Sequence, residues 1–273
     1  MILWLASYPK SGNTYLRTIL SAYFFSKNGE FTFDLLKNIQ KFPSLNHFKS
    51  LNVNCNDEKD IFRNYIRAQE DINKKKKQII FLKTHSSFCK IGGYQFTDQK
   101  NTLGAIYVIR DPRNVALSMA NYFSCTNEQA VKSILNPEFD LLEDGNKNFR
   151  NYLGTWSFHF NSWKRQNNVL IIKYEDLVSN PKTQIYKVFD FMARLIKSKI
   201  YIDEPKLTKS IDNTKFQTLK RLEKKIGFAE NLGRKNDFFN RGVKNDFKKF
   251  LEPRLKKEIE IKFKKDLDEL GYL

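Results

Sequence analysis

Cysteine is scarce: Cys55, Cys89 and Cys125 are the only three in 273 residues. An odd, widely spaced set forms neither a disulfide framework nor a zinc-ligand spacing, which leaves free, half-buried thiols and a reducing compartment. Histidine is just as rare, with His47, His85 and His159 alone. Long hydrophobic runs are missing too. No uninterrupted stretch of about 18 apolar residues occurs, so no membrane span is expected. The opening "MILWLA" has no basic n-region and meets Pro9 and Lys10 within ten residues, which argues against a signal peptide. A soluble cytoplasmic protein is the expectation. Acidic residues are outnumbered, 30 against 48 Lys and Arg, for a formal net charge of +18. That excess predicts an anionic partner, whether nucleic acid, acidic lipid, acidic polymer or a phosphate-rich small molecule, without choosing among them. Lysine runs such as "NKKKKQ" (73–78) read first as solvated surface. The length suffices for one sizeable core and demands no second domain, so residues 1–273 are expected to form one domain.

Four short apolar, β-branched or aromatic runs stand out: "ILWLAS" (2–7), "QIIFLKT" (78–84), "GAIYVIR" (104–110) and "NVLIIKY" (168–174). They read as strands buried on both faces, the pattern of a parallel sheet. Helix-like runs lie between them. "NTYLRTILSAYFFSK" (13–27) carries Leu16, Ile19, Leu20 and Tyr23 at helical spacing, and "RNVALSMANYF" (113–123) follows Pro112, a favoured first-turn residue. "NKNFRNYLGTWSFHFNSWKRQ" (146–166) reads as a packed aromatic helix, "SNPKTQIYKVFDFMARLI" (179–196) as a helix with Asn-Pro at its start, and "PRLKKEIEIKFKKDLDEL" (253–270) as a terminal helix. Residues 28–73 read as an inserted helical excursion with loops. The fold class is therefore α/β: a single domain with a central parallel sheet flanked by helices and a P-loop-like strand-loop-helix.

In a doubly wound sheet, ligands sit beyond the carboxyl ends of the strands. The first strand ends in "SYPKSGNT" (7–14) and enters a helix. A tight turn of small residues there exposes backbone N–H groups at a helix N-terminus, Lys10 adds charge, and Ser11, Asn13 and Thr14 can donate hydrogen bonds. It is not a nucleoside triphosphate loop of the G-x-x-x-x-G-K-[ST] type, because the lysine precedes the glycine. An ordinary capped turn has the same residues, so the stretch alone leaves both readings open. The second strand ends in "FLKTHSS" (81–87), which places Lys83 and His85 just past the sheet. Imidazole is the usual general base near neutral pH, although a lone strand-end histidine is more often structural. His47 and His159 have no comparable setting, and His159 reads as a core or rim residue. The third run ends at Arg110, with Ser118 eight residues on, both suited to grip a second phosphate. Arg110 could instead salt-bridge Asp111, and Arg113 could be surface. At the fourth, Tyr174 can offer a ring or hydroxyl to a base, while Glu175 and Asp176 favour a helix start.

Taken together, these elements resemble the PAPS-dependent sulfotransferase family, in which PAPS is 3′-phosphoadenosine 5′-phosphosulfate. "SYPKSGNTY" (7–15) is similar to its 5′-phosphosulfate loop, "KTH" (83–85) to its catalytic-base strand end and "IRDPRNVALS" (109–118) to its 3′-phosphate segment. "KYEDL" (173–177), "NTKF" (213–216) and "NRGVKNDFKKF" (240–250) are similar to its adenine-contacting and terminal phosphate segments. The resemblance implies transfer of a sulfonate from PAPS to a hydroxyl or amine, leaving the desulfo product PAP, with no metal. It implies that Lys10, Ser11, Gly12, Asn13 and Thr14 hold the 5′-phosphosulfate and that Arg110, Ser118, Arg241 and Gly242 hold the 3′-phosphate. Tyr15, Tyr174, Thr214 and Phe216 then surround the adenine, His85 is the base, and Lys10 and Lys83 assist the transfer. Two departures stand out. Tyr15 is where the animal cytosolic branch has tryptophan, and Asn240 is where a basic residue is usual. The implied partner is a small-molecule or carbohydrate acceptor, with no nucleic acid. The acceptor pocket is expected to be lined from residues 28–73, the segment after His85 and residues 125–149, with Phe88, Tyr94, Phe96 and Phe139 as the candidate side chains. Two other classes compete: a nucleotide phosphotransferase with the first loop as an ATP site, and a basic module that binds nucleic acid or an anionic polymer.

Overall fold

The computed structural model describes residues 1–75, 78–142, 149–231, 236–240, 242 and 246–273. All four apolar runs are strands. In chain order the main sheet contains β1 (Ile2–Ser7), β2 (Gln40–Lys41), β3 (Ile80–Thr84), β4 (Thr102–Ile109) and β5 (Val169–Lys173). The strand order is β2-β3-β1-β4-β5, and every pairing is parallel. The chain builds the β2–β3 side first and then crosses β1 to reach β4, so strand order reverses around β1. The crevice beyond its carboxyl end is the topological switch point where such sheets bind ligands.

The main helices are α1 (Asn13–Phe25), α2 (Tyr65–Lys75), α3 (Pro112–Phe123), α4 (Trp156–Lys164), α5 (Pro181–Ile196), α6 (Glu204–Asn213), α7 (Phe216–Ile226) and α8 (Pro253–Lys262). Successive strand residues point to opposite faces, so β1 feeds two cores. Leu3 and Leu5 pack with Leu16, Ile19 and Leu20 of α1 and Ile185, Val188 and Phe189 of α5. Ile2, Trp4 and Ala6 pack on the other face with Val115 and Met119 of α3, Phe160 and Trp163 of α4, and Ile259 of α8. Burial on both faces is why these strands read as continuous rather than alternating apolar runs. Among the described residues no helix is long and apolar enough to cross a membrane.

Three expectations are corrected. Residues 28–73 are not purely helical and looped, because they contribute the fifth strand, β2, at the sheet edge. A two-residue strand carries no periodicity to read. The aromatic stretch 146–166 is helical only from Trp156. Arg150–Tyr152 pairs antiparallel with Asp140–Leu142, Gly154 turns the chain with φ +63°, and the Thr155 side chain caps α4 by accepting from the Phe158 N–H. Residues 146–148 lie outside the described residues. The terminal helix is two: α8 stops at Lys262 and a second begins at Lys264, with Phe263 between them packed on Trp156 at a ring separation of 5.3 Å.

Candidate active site

A cavity of about 320 Å³ opens beyond the carboxyl ends of β1, β3 and β4. It is bounded by the β1–α1 loop, the ends of β3 and β4, the last turns of α3, and residues of α7 together with Glu230, Phe238, Phe239, Asn240 and Gly242. The loop's shape follows from two residues. Lys10 has φ +64° and Gly12 φ +99°, which reverse the chain tightly enough for the Ser11 N–H to reach the Tyr8 carbonyl at 3.3 Å. Gly12 must be glycine for a second reason, because a Cβ there would lie 2.2 Å from Cδ2 of the Tyr174 ring. Gly12→Ala is expected to cost about 2–5 kcal/mol, from positive-φ strain plus overpacking, read as a lowered urea midpoint. An unchanged midpoint would contradict this packing.

The Asn13 side chain points back and donates from Nδ2 to the Leu5 carbonyl at 2.9 Å, which ties the loop to β1. No side chain caps α1. Its N-terminal dipole and the N–H groups of its first turn thus face a cavity edge lined by Gly12, Asn13 and Thr14, a setting that favours an anion. Ser11 is fully buried beneath the loop and lies outside the cavity lining, and its Oγ has no hydrogen-bond partner among the described residues. The Lys10 ammonium sits over two rings, 3.8 Å from the Tyr122 centroid and 4.0 Å from that of Phe238.

Lys83 and His85 stand two residues apart at the end of β3 and line the same cavity. His85 Nδ1 lies 2.7 Å from the Ser7 carbonyl oxygen. A carbonyl can only accept, so Nδ1 carries the proton and Nε2 is the basic nitrogen. Behind it, the His85 carbonyl accepts from His159 Nε2 at 2.9 Å, and the Tyr107 hydroxyl bonds His159 Nδ1 at 2.8 Å. His159 is thus a core residue that braces the strand end. Burial pushes its imidazole down to about 3, and burial likewise pushes His47 down to about 4. Both are neutral in the fold, while the unfolded chain takes up their protons below about pH 6.5. Stability is therefore expected to fall as pH drops from about 6.5 toward those values, with His159 contributing about 2 kcal/mol by pH 5. Urea unfolding at pH 7 and pH 5 checks this, and His159→Gln should lose its share of the slope.

Arg110 closes the other end. Its Nη1 donates to the Lys10 carbonyl at 3.1 Å, its Nη2 to the Gly242 carbonyl at 3.4 Å, and its guanidinium stacks 4.4 Å from the Tyr174 ring centroid. It makes no salt bridge to Asp111. That role belongs to Arg113, which is buried rather than on the surface, with Nη2 2.7 Å from Asp111 and Nη1 on Glu260. Among the described residues Arg110 has no carboxylate partner, and its buried Nε has no hydrogen-bond acceptor. A desolvated, oriented guanidinium of this kind is built to receive an anion. Ser118, from α3, lines the same wall. Glu175 and Asp176 do start a helix, Tyr174–Ser179.

Tyr15, Tyr174 and Phe216 form an aromatic margin, and Gly242, at φ +55°, rests against the Phe216 ring, where a Cβ would come within 2.8 Å. Burial, with Tyr174 alongside, pushes the Tyr15 phenol up to about 12. Thr214 is not in the cavity lining: it is fully buried, and its hydroxyl donates to the Ser210 carbonyl of its own helix at 2.7 Å. Arg241 lies outside the described residues. Asn240 does not face open solvent as a spare donor, because its Nδ2 bonds Asn121 Oδ1 at 3.0 Å.

The expected acceptor-pocket residues are corrected. Phe96 is core, packed on Trp4 and Trp163, Tyr94 is exposed on a short hairpin, and neither Phe88 nor Phe139 lines this cavity. The apolar lining of the cavity includes Tyr122, Phe123, Leu141 and Leu142, and Lys41, Lys83 and Glu230 line the same cavity. None of these except Lys83 follows from a motif. Burial pushes the Glu230 carboxyl up, but Arg17, at 2.7 Å, and Lys83, at 3.7 Å, outweigh it and hold it well below the usual carboxylate range.

This fold and strand-end site are those of a sulfotransferase domain: residues 2–271 match that family, and the chain belongs to it. Two curated relatives illustrate the match. The chain is similar to Sulfotransferase 2A6 of Mus musculus, 34% identical over 94 residues, which are 33% of this chain and 31% of that protein. It is also similar to Sulfotransferase 1B1 of Canis lupus familiaris, 22% identical over 176 residues, which are 62% of this chain and 56% of that protein. The chain thus spans about a third to just over half the length of these relatives. In fold it is similar to the crystal structure of mouse sulfotransferase SULT7A1 complexed with PAP, with a TM-score of 0.64 and 18% identity, covering 97% of this chain and 83% of that one.

Proposed function

We propose that this chain is a PAPS-dependent sulfotransferase, acting as one domain over residues 1–273. The observation that carries this reading is that one cavity holds the uncapped N-terminus of α1, an Arg110 guanidinium with no carboxylate partner among the described residues, and His85 with its basic Nε2. PAPS, when bound, supplies a sulfonyl group on a phosphate leaving group. The residues present fit it. Lys10, Gly12, Asn13 and Thr14, which line the cavity at the α1 N-terminus, hold the 5′-phosphosulfate, Asn13 through its backbone, while Ser11 lies outside the lining and shapes the loop. Arg110, Ser118 and Gly242, with Arg241, hold the 3′-phosphate, and Tyr15, Tyr174 and Phe216 surround the adenine. Thr214 drops from that set because its hydroxyl is already engaged. The similar fold of the mouse sulfotransferase complexed with PAP supports PAPS as the donor.

His85 Nε2 takes the acceptor hydroxyl proton as its oxygen attacks. Lys10 and the first-turn N–H groups of α1 stabilise the charge that develops on the leaving phosphate, the role of a preorganised donor set. Lys83, on the same strand end as His85, reaches the sulfonyl oxygens. The apolar wall of Tyr122, Phe123, Leu141 and Leu142 favours a small apolar or aromatic alcohol over a sugar.

The test is titration calorimetry with PAP and with ATP–Mg, followed by transfer of labelled sulfonate from PAPS to a panel of phenols, aliphatic alcohols and sugars. Tight PAP binding and transfer are expected. Tighter ATP–Mg binding would replace this reading with a phosphotransferase. Steeply salt-dependent nucleic-acid binding with no PAP binding would replace it with a binding module.

A further inference from the structure

Glu230 is the one acidic side chain among the described residues lining the cavity, where it sits with Lys10, Lys41, Lys83, Arg110 and Lys215. It is held from behind. Its Oε1 accepts from Arg17 Nη1 at 2.7 Å, and Arg17, nearly fully buried, is itself fixed through Nη2 to the Ile39 carbonyl at 3.0 Å. Its backbone carbonyl accepts from the Tyr122 hydroxyl at 3.0 Å. The carboxylate is therefore pinned, and its second oxygen, Oε2, faces Lys83 Nζ at 3.7 Å. Lys83 is buried, its side chain 8% exposed, against 31% for Glu230. At that separation in a partly desolvated pocket the pair attracts with appreciable strength.

Resting on the reading of the site given above, we propose that Glu230 is a positioning residue that competes with sulfonate for Lys83. The lysine that reaches the sulfonyl oxygens is paired with Glu230 before they arrive. Any sulfonate entering this space must draw Lys83 from the carboxylate and lie near that negative charge. Glu230 thus weakens the grip on the sulfonate in the ground state, on the donor and on the sulfonated product alike. Because Arg17 keeps the carboxylate in place throughout, it recaptures Lys83 after transfer and helps the product leave.

PAP lacks the sulfonate, so the contrast between PAPS and PAP isolates the effect without any acceptor. Calorimetry of both on wild type, Glu230→Gln, Lys83→Met and the double variant is the test. Glu230→Gln, which keeps an oxygen for Arg17, is expected to tighten PAPS about 10-fold and to change PAP less than about twofold. In the Lys83→Met background the same change should shift PAPS by less than about twofold, because interacting residues are non-additive. An equal shift for PAP and PAPS, a weakened PAPS, or an undiminished effect without Lys83 would each overturn the proposal. If Glu230→Gln does not fold, Glu230→Asp retains a carboxylate for Arg17 while withdrawing it from Lys83, and it must raise the PAPS preference in the same direction. Failure of the wild type to bind PAP would overturn the donor assignment itself. PAP binding with an unmoved Glu230→Gln ratio overturns only this inference.

Discussion

Replacing His85 by alanine is expected to lower sulfonate transfer by about 10²–10⁴-fold, the span that a positioned general base contributes, while PAP binding stays within about twofold. The asymmetry follows from placement. His85 follows β3 beside Lys83, whereas Lys10 and Arg110 follow β1 and β4. Nδ1 is held by the Ser7 carbonyl and the whole strand end by His159, so Nε2 is aimed before any ligand enters. Alanine removes the base and its contact to the Ser7 carbonyl, while the loop keeps its own ties from the Ser11 N–H to Tyr8 and from Asn13 to Leu5. Equal transfer by the variant would sink the assignment of His85. A parallel loss of PAP binding would show that His85 supports the loop rather than the proton transfer.

Replacing Arg110 by alanine is expected to weaken PAP by about 10²-fold or more, in line with the roughly 2–5 kcal/mol lost when one partner of a buried charge-assisted pair is truncated. AMP, which lacks the 3′-phosphate, should weaken by less than about threefold. The two ligands separate the possible roles. Arg110 also bridges the Lys10 and Gly242 carbonyls, so a purely structural arginine would cost PAP and AMP alike. Arg110→Lys should not restore binding. An ammonium cannot make both carbonyl contacts from one plane while stacking on Tyr174. Arg113, three residues on, offers the contrast: its charge is already matched by Asp111 and Glu260, and its removal should appear as lost stability, not as selective loss of PAP.

The donor end of the site was legible because each part is continuous with a strand. A strand buried on both faces announces itself as an apolar run, and the residues just past it fall at the crevice by topology alone. Lys10, Gly12, His85, Arg110 and Tyr174 are all of this kind, and all line the cavity. Thr214 shows the limit of a short motif: within "NTKF" the helix that ends at Asn213 takes the threonine hydroxyl for its own carbonyls, while Lys215 and Phe216 line the cavity.

The acceptor end followed no such rule. Phe96 and Phe123 are the same residue type and no motif assigns either ring a role, yet one fills the core against Trp4 and the other lines the cavity. Burial against protein and exposure to a ligand make the same demand on an aromatic side chain, so composition does not separate them. Lys41 comes from a two-residue edge strand, Glu230 from a single turn after α7, and the Phe238 ring over Lys10 from the segment beyond it. Each reaches the site across a large sequence separation, as Glu230 does to Arg17, 213 residues earlier. The sequence by itself determined the α/β class, four of the five sheet strands and which strand-end groups line the cavity, because local periodicity and strand-end placement are short-range properties. Tertiary structure alone decided which rings line the cavity and which carboxylate stands against Lys83, because those choices depend on which distant segments the packed sheet brings together.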